Sequence, residues 1–456
     1  MKKKNDPLIT VYITNYNYGN FLDKAIKSVL NQSYKKFELI IIDDGSTDNS
    51  KKILEKYNNN KKIIKIIFQK NKGLLFSNNV ALKMSKGEYI TRLDADDWLD
   101  QNFLQVMVNE IKKNRNIGMI FCNYYIVNKS GEIQDQFFRH NFKNVKLLDQ
   151  PAHGACSLIN VKCLKNVGGY NQNLRSQDGV DIWIKLILKF KVVNVNLPLF
   201  YYRQHGKNLT YNKIKLYQSR DKVFDLNSKK KKRIIRNTIC IIPIRGNNEN
   251  SIALKKINSK TVINMIINNI LETKLIKKIF VSSPDDKILN HIRKINNKKL
   301  IALKRDENLA GFNISIKETL KQIIKKFEKK IKIDSVFKVN VDHPLMDKYC
   351  FSSMINLMNI YETNEVIAVK KEQDNFFYHN GTGFIPFKHS NNLTLEREEV
   401  YRQIGSLHLY DKKSIIKELK NKKIGHLILD DISSHHVKSN LDFKVCKTLL
   451  RYRLKS

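Results

Sequence analysis

Acids are scarce in this chain of 456 residues: 43 Asp and Glu stand against 83 Lys and Arg, a formal net charge of +40. Cysteine is scarce too. The six cysteines (Cys122, Cys156, Cys163, Cys240, Cys350, Cys446) are scattered with no CxxC pair. That spacing excludes a disulfide frame or a cysteine zinc site and points to reduced thiols in a cytoplasmic protein. No apolar run reaches the roughly 18–20 residues of a bilayer span. The opening Met1-Lys2-Lys3-Lys4-Asn5-Asp6-Pro7 lacks the apolar stretch of a signal peptide. Hydrophobic residues nevertheless make up 42% of the sequence, a globular composition that excludes a wholly disordered chain. At roughly 100–200 residues per domain, the length predicts two or three domains.

Excess positive charge invites a nucleic-acid reading, because Lys and Arg neutralise phosphates. Lys, Asn and Ile are over-used throughout, however, even in loops such as Asn58-Asn59-Asn60-Lys61-Lys62. No helix-turn-helix, zinc-finger or aromatic RNA-binding signature accompanies the charge, so no nucleic-acid partner is expected. Attraction of anionic nucleotides, and peripheral contact with the anionic inner face of a cell membrane, follow from the same charge.

Leu8–Thr14 reads as a buried strand, Asn15-Tyr16-Asn17-Tyr18-Gly19-Asn20 as a turn, and residues 21–31 as a helix. Phe37–Ile42 is a second strand ending in Asp43-Asp44-Gly45-Ser46, with Ser46 or Thr47 as N-cap of the next helix. Further strands are expected at 65–68 and 89–93, with a helix over 74–86. Strands alternating with helices predict an α/β protein with mostly parallel sheets covered on both faces. The pattern breaks at the basic stretch Asn227–Arg233 and restarts with the strand Thr238–Pro243, a helix near 259–273 and a strand at 278–282. Two tandem Rossmann-like domains are therefore expected, 1–225 and 237–456, joined by a basic linker at 226–236.

Ligands of open α/β sheets sit beyond the carboxyl ends of the strands. Two such ends carry acids, Asp43-Asp44 and Asp94-Ala95-Asp96-Asp97. Asp94 and Asp96, two residues apart, point to one side, and two carboxylates facing one cleft require a cation. Mg²⁺ or Mn²⁺, completed by substrate phosphates, is the expected ion. The alternative is that these acids cap the helices that follow.

Thr14-Asn15-Tyr16-Asn17, Asp43-Asp44-Gly45-Ser46-Thr47-Asp48, Asn71-Lys72-Gly73, Lys86-Gly87-Glu88-Tyr89-Ile90 and Asp94-Ala95-Asp96 occur in this order. Together they resemble the nucleotide-sugar signature of family 2 glycosyltransferases, over roughly residues 7–211. The resemblance implies a GT-A fold and transfer, with inversion, from a nucleotide-sugar donor to a glycan or lipid-linked acceptor in surface polysaccharide biosynthesis. It implies that Asp44 recognises the base, Asp94 the ribose and Asp96 the metal, with Thr14, Tyr16 and Asp43 on the same substrate-binding edge. Transfer needs a base for the acceptor hydroxyl. Ser176-Gln177-Asp178-Gly179-Val180-Asp181-Ile182-Trp183 resembles the family's acidic motif, with Asp178 as base and Asp181 as the alternative. His153-Gly154-Ala155 would lie on the acceptor side. Tyr201–Leu209 resembles the segment closing over the diphosphate, with Arg203 and His205 as anion contacts and Trp98 packed behind the acidic loop.

Residues 238–450 resemble cytidylyltransferases that activate acidic sugars as CMP-sugars. The segments are Ile242-Pro243-Ile244-Arg245-Gly246, Val281–Asp286, Arg305–Ala310, Val339-Asn340-Val341-Asp342-His343-Pro344-Leu345 and Tyr401-Arg402-Gln403-Ile404-Gly405-Ser406. By that resemblance Arg245 and Arg402 bind substrate and Asp342 holds a metal. The phosphate loop continues Asn247-Asn248-Glu249-Asn250, without the family's glycine and lysine. His436-Val437-Lys438 stands where the family carries a metal-binding Asp-x-Asp. Three readings follow: a glycosyltransferase with an accessory second domain, a bifunctional protein or CMP-sugar synthetase, and a non-catalytic nucleotide-sugar-binding scaffold.

Overall fold

The computed structural model describes residues 6–60, 63–138, 153–174, 176–205, 213–231, 234–235, 237–245, 252–311, 314–372, 374, 376–386, 400–417, 419 and 421–455. They group into two compact units, Met1–Val223 with Phe376–Glu398 and Phe224–Asn375 with Glu399–Ser456. The helix Lys213–Ser228 carries the chain from the first range into the second. All six cysteines are free. No helix among the described residues is long and apolar enough to cross a membrane.

In the first unit, Ile63–Phe68, Phe37–Asp43, Ile9–Asn15 and Tyr89–Asp94 lie side by side in that order, all parallel. Every residue of Ile9–Asn15 and Phe37–Asp43 is buried, as continuous apolar strands covered on both faces must be. The helix Gly19–Leu30 buries Leu22, Ala25, Ile26 and Val29, a stripe at helical spacing. Beyond Tyr89–Asp94 the sheet becomes mixed, which corrects the expectation of mostly parallel pairing. Leu158–Asn160 is antiparallel to both its neighbours, Tyr89–Asp94 and Ile117–Val127. Ile133–Phe137 folds straight back on Ile117–Val127 across residues 128–132, too few for the crossover that a parallel pair needs. The core between sheet and helices holds Trp183, whose ring meets Phe121 edge to face at 5.2 Å.

The expected cap at Ser46 or Thr47 is also corrected. The helix starts at Ser50 behind Asn49. Ser46 Oγ instead accepts from Asn17 N (2.9 Å) and Asn15 Nδ2 (3.0 Å), and Thr47 N donates to Asn17 Oδ1 (2.7 Å). These residues tie two strand ends together, leaving none of their groups for a cap.

The second unit pairs Leu300–Lys304, Ile276–Ser283, Thr238–Pro243 and Ser335–Val339 in parallel. Val400–Asp411 then runs antiparallel between Ser335–Val339 and Glu365–Glu372, so this sheet is mixed as well. The helix Val262–Leu271 is capped by Thr261, whose side chain accepts from Asn264 N. Isoleucine dominates the core, a β-branched residue that suits buried strands.

One ion pair fastens the far side of this sheet. Glu365 is 5% exposed and meets His408 Nε2 and Lys422 Nζ at 2.9 Å each. Burial alone would raise its pKa, but the bonds from His408 and Lys422 hold it at about 2, against an ordinary 4.5. Burial also lowers the His408 pKa, partly offset by Glu365. A carboxylate depressed on folding stabilises fully above its unfolded pKa and loses that contribution as pH falls toward the folded one. The second unit should therefore weaken by on the order of 3 kcal/mol between about pH 5 and pH 2 from this group. Urea unfolding across that range should show the slope in the parent and a flatter one in Glu365→Gln; equal slopes would exclude this pair as the source. In the first unit, Phe121→Ala should cost about 3–5 kcal/mol in the same measurement.

Candidate active site

Parallel register gathers the sequence motifs at one sheet edge. Asn15 lies beside Asp43, and Thr14 beside Asp94. Asp43 accepts from Asn15 Nδ2 (2.7 Å) and Ser46 N (2.9 Å). Asp44, 5% exposed, accepts from Gln69 Nε2 (2.6 Å), Lys72 N (2.9 Å) and Gly73 N (2.7 Å). Its carboxylate thus clamps the loop that opens the helix Leu74–Met84. Gly45 permits this: its φ is +82°, and a Cβ there would stand 2.9 Å from Asn71 N. Thr14 Oγ1 is 3.5 Å from Asp94 Oδ1, and Tyr16 is half-exposed at the rim.

The acidic turn follows directly. Asp96 is buried, and its pKa is raised, first by burial and then by the charge of Asp94, with His205 Nε2 at 3.0 Å opposing the rise. Asp97 is 1% exposed and raised further by burial and by Asp96 and Asp94; its Oδ1 accepts from Arg203 N at 2.8 Å. His205 stacks on Phe21 at 5.7 Å and meets Tyr18 edge-on at 5.5 Å, which fixes its ring over Asp96. Arg203, expected as an anion contact, is 3% exposed. Its Nε donates to Asp96 O (2.9 Å) and its Nη1 to Lys129 O (2.6 Å), while its plane lies over Phe21 and Trp98. It braces the acidic turn from beneath. Trp98 stacks on Tyr201 at 4.7 Å with Lys24 Nζ over its ring. Residues 206–209 of the expected closing segment lie outside the described residues.

The helix Asp178–Ile187 carries both expected bases in its first turn, where carboxylates suit the helix dipole. Asp178 is 6% exposed, forms an ion pair with Arg92 Nη1 and accepts from Asn78 Nδ2 at 3.3 Å. Asp181 is 1% exposed and pairs with Lys185 one turn on. Arg92 also reaches Asp94, with Nε 2.9 Å from Oδ1. One guanidinium therefore joins Asp94 to Asp178, the first expected base. Gly154 lies against this pair: a Cβ there would stand 3.0 Å from Arg92 Nη2 and 3.3 Å from Gly179 Cα. Sequence reasoning missed Arg92, Asn78 and Gln69. The available signal was a lone charge inside the apolar strand Tyr89-Ile90-Thr91-Arg92-Leu93, because a buried charge demands a partner.

In the second unit a cavity of about 600 Å³ is lined by Arg245, Arg305, Lys338, Asn340 and Asp342 among others. Asp342 accepts from Ser406 Oγ (2.6 Å) and lies 2.9 Å from His436 Nε2. Burial would raise its pKa, but the neighbouring His343 ring (Nδ1 at 3.6 Å) and the hydrogen bond from Ser406 hold it well below the usual range. Asp342, His343 and His436 form the three-ligand cluster found among the described residues. Mg²⁺ prefers oxygen ligands, and this set is two-thirds imidazole. The two rings stack in parallel at 4.6 Å. Metal binding at Asp342, expected as Mg²⁺ or Mn²⁺, would fall on this set, whose imidazole nitrogens suit Mn²⁺ better than Mg²⁺. Arg402, expected at the same site, donates from Nε to Glu372 on the neighbouring strand at 2.6 Å and is not among the cavity-lining residues.

Residues 10–168 match the family model Glycosyl transferase family 2. The hyaluronan synthase of Pasteurella multocida is 26% identical over 209 residues, 46% of this chain and 22% of that protein. The chondroitin synthase of Escherichia coli is 25% identical over 212 residues, 46% of this chain and 31% of that protein. The putative teichuronic acid biosynthesis glycosyltransferase TuaG of Bacillus subtilis is 28% identical over 213 residues, 46% of this chain and 84% of that protein. Among solved structures, S. aureus TarS 1-349 with UDP aligns over 48% of this chain and 65% of that chain, at 19% identity and a TM-score of 0.39. The chain spans less than a third of the length of the first two curated relatives. Its N-terminal half thus contains a region, residues 10–168, that matches the family 2 glycosyl transferases, in an α/β unit with a mixed sheet.

Proposed function

We propose that the first unit transfers a sugar, with inversion, from a nucleotide-diphosphate sugar to a glycan or lipid-linked acceptor in surface polysaccharide biosynthesis. The observation that carries this reading is one sheet edge where Thr14 lies beside Asp94 and Asn15 beside Asp43, with Asp96 paired to His205 at the turn that follows. Asp178 is linked to that edge through Arg92. Relatives named for hyaluronan, chondroitin and teichuronic acid synthesis support the polysaccharide class.

A divalent ion fits at Asp96. Burial and the charge of Asp94 disfavour its ionised carboxylate, and a cation there relieves both. Asp96 and His205 would hold the ion, and one oxygen with one nitrogen suits Mn²⁺ better than Mg²⁺. When bound, such an ion supplies positive charge against the leaving diphosphate. The chain's own residues do the rest. Asp94 faces the donor ribose, the clamp at Asp44 shapes the base pocket, and Arg203 keeps the acidic turn rigid. Asp178 accepts the proton of the acceptor hydroxyl, held in place by Arg92 and Asn78.

For the second unit we infer binding of an anionic ligand, supported by the cavity that collects Arg245, Arg305 and Lys338. A cytidylyltransferase-like activity is the alternative reading. Its weak points are the nitrogen-rich set at Asp342 and Lys438 in place of a carboxylate.

Purified protein with Mn²⁺, offered UDP-, GDP-, dTDP- and CMP-sugars, should release nucleotide from one donor by mass spectrometry. Asp96→Asn should lower that rate by roughly a hundredfold or more, and unchanged turnover would sink the metal assignment. Asp178→Asn should abolish transfer while leaving donor binding intact; full transfer would move the base to Asp181. CTP with a sugar acid should yield no pyrophosphate. Pyrophosphate release that disappears in Asp342→Asn would instead establish the second unit as the enzyme.

A further inference from the structure

The helix Asn440–Lys455 has two contrasting sides. Phe443 and Cys446 are buried in the core of the second unit, with Leu449 and Leu450 packed against them. Arg453 fastens the same side, donating from Nη1 to Leu345 O (2.6 Å) and from Nη2 to Ser433 Oγ (2.9 Å). Asp442 closes the start of the helix, its Oδ2 accepting from Lys438 N (2.9 Å), Ser439 N (2.7 Å) and Ser439 Oγ (2.9 Å).

The outer side is unusual for a solvated helix. Leu441 is 68% exposed, Val445 38% and Tyr452 65%. With Thr448 between them, they are four, three and four residues apart and form one stripe along the helix. Lys444, Lys447 and Arg451, all exposed, form a second row directly beside it. The acid of the helix, Asp442, is spent on the loop, so the outer side presents apolar and cationic groups with the neutral Thr448 and no acid.

We propose that this side of the helix docks the protein on an anionic lipid bilayer. An apolar stripe flanked by cations suits a helix lying in the plane of the interface: apolar side chains enter the acyl boundary and Lys and Arg meet the headgroups. Tyr452 is an amphipathic residue of the kind that settles at headgroup level. A second copy of the chain fits worse, because a two-fold contact would set three cations against three more. The net charge of +40 adds long-range attraction to the same surface. The inference is independent of the transfer reaction, so either can fail while the other stands.

The test is co-sedimentation of the full chain with vesicles of equal parts phosphatidylglycerol and phosphatidylcholine, against phosphatidylcholine alone. Binding should occur on the anionic vesicles, fall as salt is raised to about 0.5 M, and be absent on the neutral ones. The variant Leu441→Ser/Val445→Ser/Tyr452→Ser keeps every charge and should bind about tenfold more weakly or worse. Reversing Lys444, Lys447 and Arg451 to Glu should do the same. The same reversal at the exposed Lys325, Lys326 and Lys329 makes an equal change in net charge and should have much less effect. All substituted side chains are exposed, and matching thermal unfolding confirms that the variants fold. The proposal is overturned if the parent fails to bind anionic vesicles, if the serine variant binds as the parent does, or if the distant reversal is equally damaging. It is also overturned if the serine variant converts a solution dimer to a monomer without changing vesicle binding.

Discussion

Arg92 carries a full positive charge in a strand whose neighbours are Ile90, Thr91 and Leu93, with its side chain 4% exposed. Taking a guanidinium out of water costs several kcal/mol unless carboxylates and hydrogen bonds replace the solvent. Here Asp94 and Asp178 do so from opposite sides, and they outweigh burial enough to keep the guanidinium charged. The consequence is geometric. Asp178 opens a helix more than eighty positions further along the chain, and the Arg92 ion pair and Asn78 secure the start of that helix over the sheet edge. The glycine at 154 belongs to the same constraint, because a Cβ there would stand 3.0 Å from Arg92 Nη2, a tight contact that the guanidinium would have to yield to.

The acidic turn depends on a parallel arrangement one layer away. Asp94, Asp96 and Asp97 repel one another, and burial disfavours ionisation of Asp96 and Asp97. Arg203 answers that repulsion through both its main chain and its guanidinium. Its main-chain N–H binds Asp97, its Nε holds the carbonyl of Asp96, and its guanidinium rests between aromatic rings. A cation fixed in this way holds the turn in shape while leaving the carboxylate of Asp96 to His205 and to whatever cation enters. Structural positive charge and ligand-binding negative charge are thereby separated by a few ångströms within one loop.

Much of this was legible in the sequence. Apolar runs located the strands Ile9–Asn15, Phe37–Asp43, Ile63–Phe68, Tyr89–Asp94, Thr238–Pro243 and Ile276–Ser283 to within a few residues, and the acids at Asp43-Asp44 and Asp94–Asp97 marked two strand ends, because those signals are local. Pairing partners were not legible. Asp178 and Arg92 are brought together by tertiary packing, as are Asp44 and the loop at Lys72-Gly73, and no short window contains both members. The mixed sheets escaped for the same reason: a three-residue strand such as Leu158–Asn160 has too little pattern to reveal its direction. Ser46 and Thr47 look like helix caps to any local rule, yet Asn15 and Asn17 from another strand end outcompete that role.

The second unit shows how the same sheet logic serves a different charge balance. Its strand edge leads to Asp342 as the first unit's leads to Asp94 and Asp96, but the groups that close on it are His343, His436 and Ser406 rather than further acids. A carboxylate surrounded by hydrogen-bond donors remains ionised without a metal, which is the direction in which Asp342 is shifted. Asp96 is shifted the other way, because its neighbours are acids. The two sites therefore make opposite demands on an incoming ligand. On the proposed reading the acidic turn takes up a cation, whereas the cavity beside Asp342, with Arg245, Arg305 and Lys338 on its walls, takes up an anion. The sign of each acid's shift is set by the residues that fold up against it: further carboxylates at Asp96, imidazoles and a hydroxyl at Asp342.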